Sequence, residues 1–377
     1  MKNVKVTKVE SRKDLDAFVH FSEQLYADCE QYVPDLESDI RETFDPDKNA
    51  GLEFSEIQGF LAYKDGKVAG RIAGIINKRA NEKWQIRCVR FGMIDFIDDK
   101  EVSTALLHAV EAWGKERGMD CIEGPLGITD FDKEGMLIED FHLTGSMTAI
   151  YNYPYYKEHM EALGYDKAAD WLQVHIEIPE KLPEKYTHAA ELSKKLFHLK
   201  VRKLTYREMT KGEYGYKIFH LLNKAYEPLF GFSAMSDKQA KSFIENYLRV
   251  IDLNLLPIVE DKDGNLVAVA VTMGSMSQAL RKSKGRLFPF GWYHLLKALK
   301  WKREEGAEML LIAVDPKYQG LGVNALIFED LLPIYRQYGF KWAETGPQLE
   351  DNVKELSQWQ PLNPDIIKRR RCFKKSI

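Results

Sequence analysis

Residues 310–332 read LLIAVDPKYQGLGVNALIFEDLL. An apolar run, Leu310 to Val314, enters a loop holding Gly320 and Gly322, and a helical pattern opens near Val323. The first N–H groups of a helix lack partners within it, and glycines let an anion approach them closely. The segment therefore predicts a phosphate-binding turn; the plainer alternative is a loop needing two flexible positions. A dinucleotide fingerprint can also be traced, as Gly320-x-Gly322-x-x-Ala325 with Glu344 nineteen residues on. It fails on two counts. Its first glycine should follow the strand at once, yet Asp315 to Gln319 intervene, and only 33 residues remain after Glu344 to complete a doubly wound sheet.

The elements around this turn occur twice. Upstream lie VRKLTY (201–206), helical stretches, and LPIVEDKDGNLVAVAVTMG (256–274), two strand-like runs about Asp263-Gly264. The first half has VKVTKV (4–9), then a helix over 12–27 with Leu15, Phe18, Val19 and Leu25 on one face. FLAYKDGKVAGRIAGII (60–76) follows, turning at Asp65-Gly66. The opening strands are offset by 197 residues (4 to 201) and the Lys-Asp-Gly turns by 198 (66 to 264), which marks an internal duplication. After each hairpin come a strand, a helix and a strand. These are 85–97, 99–117 and 120–124 in the first half, and 308–314, 323–338 and 341–345 in the second. The prediction is an α/β protein of two repeats, each a mixed, mainly antiparallel sheet flanked by helices. The repeats are expected at 1–180 and 195–377, with 179–200 as linker and a 276–307 insertion in the second.

Val314 to Leu326, VDPKYQGLGVNAL, resembles the acyl-CoA pyrophosphate loop of the GNAT superfamily of N-acyltransferases. That family's pattern is Gln/Arg-x-x-Gly-x-Gly/Ala. Gln319 and Gly322 match it, while Asn324 stands where Gly or Ala is usual. The order of elements also resembles that fold in both halves, and the YNYPYY segment and the LEDN…KRRR ending are similar to those of uncharacterised bacterial tandem-GNAT proteins. The resemblance implies acetyl-CoA or another acyl-CoA as cosubstrate. The strand at Ala313 and Val314 would pair with the pantetheine arm, and the Val314 N–H would polarise the thioester carbonyl. Backbone N–H groups of Gln319, Gly320, Leu321, Gly322, Val323 and Asn324 would hold the pyrophosphate, and Asn352 would reach the cofactor arm. The family's tyrosine acid is replaced by Trp359, which has no proton of suitable pKa. Glu344 is the candidate base.

The first half has no such loop. DFIDDKEVSTALL (95–107) lacks glycine and sets Asp95, Asp98, Asp99 and Glu101 about the helix start, where acids cap a helix and repel a pyrophosphate. Asp130, Asp132, Glu134 and Gly135 have the spacing that opens an EF-hand, but Phe141 occupies the position needing a bidentate Glu. We expect no metal there. The loop reads as solvated acids in a turn, or as a cation-recognising surface for an amine. The tyrosines of YNYPYYKEHM (151–160) read as packing, or as the wall of a pocket. RLFPFGWYHLLKALKWKRE (286–304) reads as a basic amphipathic helix, either docked over the cleft or lying on a membrane surface. The tail, IIKRRRCFKKSI (366–377), reads as a terminal strand with a solvated charged edge.

Composition sets the outer limits. The chain has 377 residues, 45% hydrophobic and 29% charged, with net charge 54 − 57 = −3. That suits two soluble domains and discounts nucleic acid as a partner. Cys29, Cys88, Cys121 and Cys372 are far apart in sequence and read as reduced thiols. The polar N-terminus and the lack of a long apolar run predict a cytoplasmic protein. The expected activity is acyl transfer from acyl-CoA to an amine on a small-molecule or lipid-like acceptor, the first half and the insertion completing the acceptor site. The alternatives are an aminoacyl-tRNA-dependent transferase and a non-catalytic binding pair.

Overall fold

The computed structural model describes residues 4–211, 213–247 and 250–377. Strand β1 (Val4–Lys8) leads into α1 (Arg12–Leu25), which Ser11 and Asp14 close with a reciprocal capping box. After α2 (Glu37–Thr43), β2 (Ser55–Lys64) and β3 (Lys67–Asn77) form the expected hairpin. Asp65 and Gly66 take φ of 51° and 77°, the left-handed pair that a two-residue turn requires. Then come α3 (Lys78–Trp84), β4 (Cys88–Phe96), α4 (Lys100–Lys115) and β5 (Cys121–Gly124). β4 and β5 run parallel, so α4 is their crossover. It buries Leu106, Val110 and Trp113 against Ile72, Val89 and Phe91 of the sheet. The first half ends with β6 (Met136–Leu137), α5 (Tyr155–Ala162) and β7 (Asp166–Glu177).

Helix α6 (Glu184–Phe197) precedes the second series. That series runs β8 (Lys200–Lys203), α7 (Tyr206–Thr210), α8 (Tyr214–Tyr226), α9 (Asp237–Tyr247), β9 (Pro257–Glu260) and β10 (Leu266–Gly274). After α10 (Ser277–Ser283) and α11 (Gly291–Leu296) come β11 (Gly306–Val314), α12 (Val323–Gln337), β12 (Trp342–Thr345), β13 (Gln348–Leu349), α13 (Val353–Ser357) and β14 (Asp365–Ser376). Again a parallel pair, β11 and β12, is bridged by a helix, α12. The two tandem repeats are each a mixed, mainly antiparallel sheet flanked by helices.

The chain folds as two compact units, and neither is a continuous segment. One comprises Met1–Trp171, Ser277–His294 and Lys368–Ile377; the other comprises Leu172–Met276 and Leu295–Ile367. In the first unit the sheet order is β1-β2-β3-β4-β5, closed by the C-terminal part of β14 antiparallel to β5. In the second it is β8-β9-β10-β11-β12, closed by residues 172–177 of β7 antiparallel to β12. The repeats exchange their last strands. No linear cut separates such units, so boundaries at 180 and 195 cannot describe them.

Several expectations change with this topology. Cys88 and Cys121 face each other across the β4–β5 ladder and form a disulfide, where reduced thiols were expected. Their 33-residue separation hides a register that is set only when α4 folds back. Residues 184–197, read as a lysine-rich helix of the linker, do form a helix, but its Tyr186 and Ala190 enter the second core. The 286–304 segment is not one helix: a six-residue α11 is followed by a π-helical turn, Lys297–Trp301. The terminal strand is not a solvated edge either. Arg370 is 1% exposed, and Asp170, also 1% exposed, binds Arg371 through two bonds (2.8 and 2.9 Å) and Arg369 at 3.1 Å.

Burial alone would raise the Asp170 carboxyl, but the hydrogen bonds and charge of Arg371, with Lys167, hold it below the ordinary value. Its contribution is therefore present at neutral pH and lost as pH falls below about 4. Asp170→Asn leaves Arg371 without its counter-charge and Arg369 with Glu139 alone, at 3.4 Å. It is expected to cost about 3 kcal/mol at pH 7, by urea denaturation, with the gap to wild type closing under acid.

Candidate active site

The parallel ladder of β11 with β12 runs only from Gly306–Trp342 to Met309–Thr345. On its other side β11 pairs with β10 throughout, but Leu311 faces Val271 while Met309 faces Thr272. Leu310 is therefore a bulged, extra residue. A bulge bends its strand and reverses which edge the following residues face. Before it, the Met309 carbonyl accepts from Gly346 on the β12 side at 2.9 Å. After it, Asp315 N–H donates to the Val267 carbonyl on the β10 side at 2.8 Å. Alternation then puts the Ile312 and Val314 N–H groups on the opposite edge, where β12 has already ended. Buried Ala313 pairs with Val269 instead. The Tyr226 hydroxyl, at the end of α8, donates to the Ile312 carbonyl at 3.0 Å and so stands at this gap.

The loop beyond the gap is built for close backbone approach. Asp315 caps the Pro316–Tyr318 turn and pairs with Lys224 at 2.7 Å. Gln319 is exposed and its amide donates to the Val314 carbonyl at 3.2 Å. Gly320 has φ of 79°, and no atom lies within 4 Å of the place a Cβ would take. Gly322, at φ 78°, is the N-cap of α12, and no side chain caps that helix. A Cβ on Gly322 would meet Ser193 Oγ at 3.1 Å and Ala189 Cβ at 3.2 Å. Helix α6 thus braces the loop, and Ser193 Oγ also donates to the Leu321 carbonyl at 2.7 Å. Val323 is fully buried, and Asn324 is held by Gln358 Oε1 at 2.6 Å. An uncapped helix start beside an open glycine fits an anionic group such as a pyrophosphate. At the matching helix of the first repeat, Asp99 accepts from Glu101 N–H at 2.9 Å and pairs with Lys64, so a carboxylate already occupies that position.

Other expected residues lie apart from the gap. Glu344 pairs in register with Glu308, six residues before Val314. At about 3.3 Å per residue, the two residues expected to act together are roughly 20 Å apart along the strand. Glu344 instead meets His175 Nδ1 at 3.3 Å, and its hydrogen bond holds the imidazole pKa above its ordinary value despite partial burial. Asn352 caps α13, accepting from Glu355 N–H at 3.4 Å. Trp359 is 1% exposed, edge-on to Phe328, and donates to Gln348 Oε1 at 3.0 Å, a packing role. Sequence reading missed Tyr226, since an unremarkable helix end gives no signal. It also missed Glu355, whose carboxyl burial pushes up to about 7. An apolar cleft borders the ladder, lined by Ile176, Met309, Phe328, Leu331, Tyr335 and Leu362 among others.

In the first unit, the tyrosines of 151–156 are packing. Tyr156 and Tyr26 share a 2.9 Å hydroxyl contact, and Tyr26 donates to Asp95, itself held by Arg71 at 2.7 Å. Ser103, His159 and Asp98 line up at 2.8 and 3.0 Å in the order of a hydrolytic triad, but Ser103 is 1% exposed and out of a substrate's reach. The acids of the 124–135 loop are not simply solvated. Both carboxylate oxygens of Asp130 and one of Glu134 are buried without a hydrogen-bond partner. Burial pushes Asp130 up to about 7, against the pull of Arg90 and Lys83. Among the described residues no group of three or more His, Cys, Asp or Glu is placed to hold a metal ion.

This architecture is the GCN5-related N-acetyltransferase fold in tandem. A tandem GNAT protein from the clavulanic acid biosynthesis pathway superposes with a TM-score of 0.57 at 10% identity, covering 99% of this chain and 98% of that one. A GCN5-related N-acetyltransferase from Sphaerobacter thermophilus gives 0.53 at 13%, covering 99% and 95%. The chain matches 38% of a fungal multi-domain β-N-acetylglucosaminidase carrying a glucosamine N-acetyltransferase region, with a TM-score of 0.57 at 14% identity. In sequence it is 28% identical over 374 residues to Protein YghO of Escherichia coli, spanning 97% of this chain and 94% of that protein. It is 26% identical over 326 residues to the bacterial ceramide synthase of Caulobacter vibrioides, spanning 84% and 82%. No protein-family model matches the chain. Among the described residues no helix is long and apolar enough to cross a membrane.

Two titrations check these surroundings. Glu344→Gln removes the carboxylate charge beside His175, so the imidazole pKa is expected to fall, read by NMR of the ring protons. Asp130 has a raised folded pKa, so its protonated form is the one the fold favours, and stability is lost as pH rises from about 4 towards 7. Asp130→Asn should flatten that slope and gain roughly 1–3 kcal/mol at pH 8, by chemical denaturation.

Proposed function

We propose that this chain transfers an acyl group from acyl-CoA to an amine, at the β11–β12 gap of its second repeat. The bulge at Leu310 carries the reading, because it turns two backbone N–H groups into a space with no strand to receive them. Acyl-CoA would supply the activated carbonyl as a thioester. Gly320, Leu321, Gly322 and Val323 would offer backbone donors to its pyrophosphate, and Ile312 and Val314 N–H would steady the oxyanion as the amine attacks. When the C–N bond forms and the C–S bond breaks, the nitrogen must lose a proton and the sulfur gain one. Tyr226, whose hydroxyl donates to the Ile312 carbonyl, would do both, giving its proton to sulfur and taking one from nitrogen. Glu344, about 20 Å from Val314 along the strand, has no part in that exchange.

The likeness to a protein named a bacterial ceramide synthase supports a lipid-like amine as acceptor and a longer acyl group than acetyl.

Calorimetric titration of acetyl-CoA and palmitoyl-CoA tests the cosubstrate. Wild type is expected to bind one molecule per chain. Gly320→Asp, which adds a charge where there is open space, should weaken binding at least about tenfold, or 1.4 kcal/mol. Gly322 is unsuitable for this purpose, since any side chain there strikes α6. Absence of binding to wild type overturns the proposal. Tyr226→Phe should leave acyl-CoA affinity intact and lower kcat about a hundredfold, measured by thiol release with a long-chain amine.

A further inference from the structure

The segment 277–294 belongs to the first unit although it is inserted in the second repeat. It is anchored tightly at its base. The Gly285 carbonyl accepts from Glu37 N–H at 2.9 Å, and a Cβ on Gly285 would lie 2.1 Å from the Asp35 carbonyl oxygen. Arg286 pairs with Glu37 at 2.7 Å and with Glu23. Ser277 Oγ donates to the Gly145 carbonyl at 3.3 Å. These contacts fix where the chain leaves the body of the unit.

Past Arg286 the apolar side chains turn outward. Phe288 is 78% exposed, Phe290 72%, Trp292 46% and Tyr293 43%. The tip is nonetheless ordered by its own bonds: Trp292 N–H to the Leu287 carbonyl at 2.8 Å, Trp292 Nε1 to the Pro289 carbonyl at 3.1 Å, and Tyr293 N–H to the Phe290 carbonyl at 3.1 Å. Single exposed apolar residues are common on protein surfaces, but four large aromatics within six positions are not. Residues 277–294 hold four Lys or Arg and no Asp or Glu, in a chain whose net charge is −3, and of the four Arg286 is paired with Glu37 and Glu23. Lys282 and Lys284, just before the tip, are exposed.

We propose that this aromatic tip docks the protein on an anionic bilayer surface. Such exposed phenylalanines project from the protein and can enter the acyl boundary, while Trp and Tyr rings favour the headgroup level and lysines meet lipid phosphates. The docking residues differ from an amphipathic-helix arrangement over 286–304: Trp301 lies in the other unit, and Phe288 and Phe290 precede α11, whose first turn holds Trp292 and Tyr293.

Sedimentation with vesicles of phosphatidylcholine and phosphatidylglycerol at 7:3, without any acyl-CoA, tests this separately from acyl transfer. Wild type is expected to sediment with these vesicles and at least tenfold less with phosphatidylcholine alone. Phe288→Ser/Phe290→Ser should lower the partition coefficient at least tenfold while keeping the wild-type melting curve and acyl-CoA titration. Lys282→Glu/Lys284→Glu should weaken binding to the anionic vesicles alone. The proposal is overturned if wild type stays in the supernatant. It is equally overturned if the phenylalanine variant sediments as wild type does, or if wild type favours a protein from lysate over vesicles at equal mass.

Discussion

Strand β11 can satisfy β12 for four residues only, because the extra residue at Leu310 bends it away and reverses the edge on which its N–H groups lie. Everything that defines the candidate site follows from that bend. Ile312 and Val314 are left with donors facing a space, Tyr226 reaches the same edge, and the strand delivers the chain to a glycine loop at an uncapped helix start. A regular ladder through Val314 would bond these groups to β12 and leave nothing for a ligand. The cost of the missing bonds falls at the strand end, close to solvent, where water can replace them.

The two repeats show how one topology serves two purposes. Each has a parallel strand pair with a helix between, and in each the start of that helix presents unpartnered N–H groups. In the first repeat Asp99 fills that need, with Lys64 beside it, and the helix start becomes a stabilising cap. In the second, Gly322 offers no side chain and α6 takes up the space a Cβ would require. The same physical demand is met from within the chain in one case and left open in the other. A duplicated fold therefore does not imply a duplicated site.

The exchange of last strands ties the charge of the C-terminal segment to its surroundings. Arginines that would be costly in a sheet interior are placed where Asp170 accepts from both Arg369 and Arg371. Removing the arginines leaves the buried Asp170 carboxylate with Lys167 alone, so the group makes the closing strand specific about its position. The Cys88–Cys121 bridge lies one ladder away, on the parallel pair of the same unit.

Much of the fold was legible in local chemistry. Asp65-Gly66 marks a turn because it tolerates left-handed backbone angles, and the apolar faces of 12–27 and 323–338 mark helices because of their period. Two copies of one element order at a constant offset make the duplication plain, and the glycine loop is visible because only glycine accepts those angles without strain. What the sequence alone could not settle depends on register and burial. A bulge at Leu310, the meeting of Cys88 with Cys121, the distance of Glu344 from Val314, and Tyr226 at the gap are set by which residues lie across a ladder, and residues far apart in sequence decide that. The same holds for Arg370, between two other arginines, and for Asp130, in a loop rich in acids. Local propensity is written in neighbouring residues. Pairing between distant strands, and the loss of water that goes with it, exists only once the chain has closed on itself.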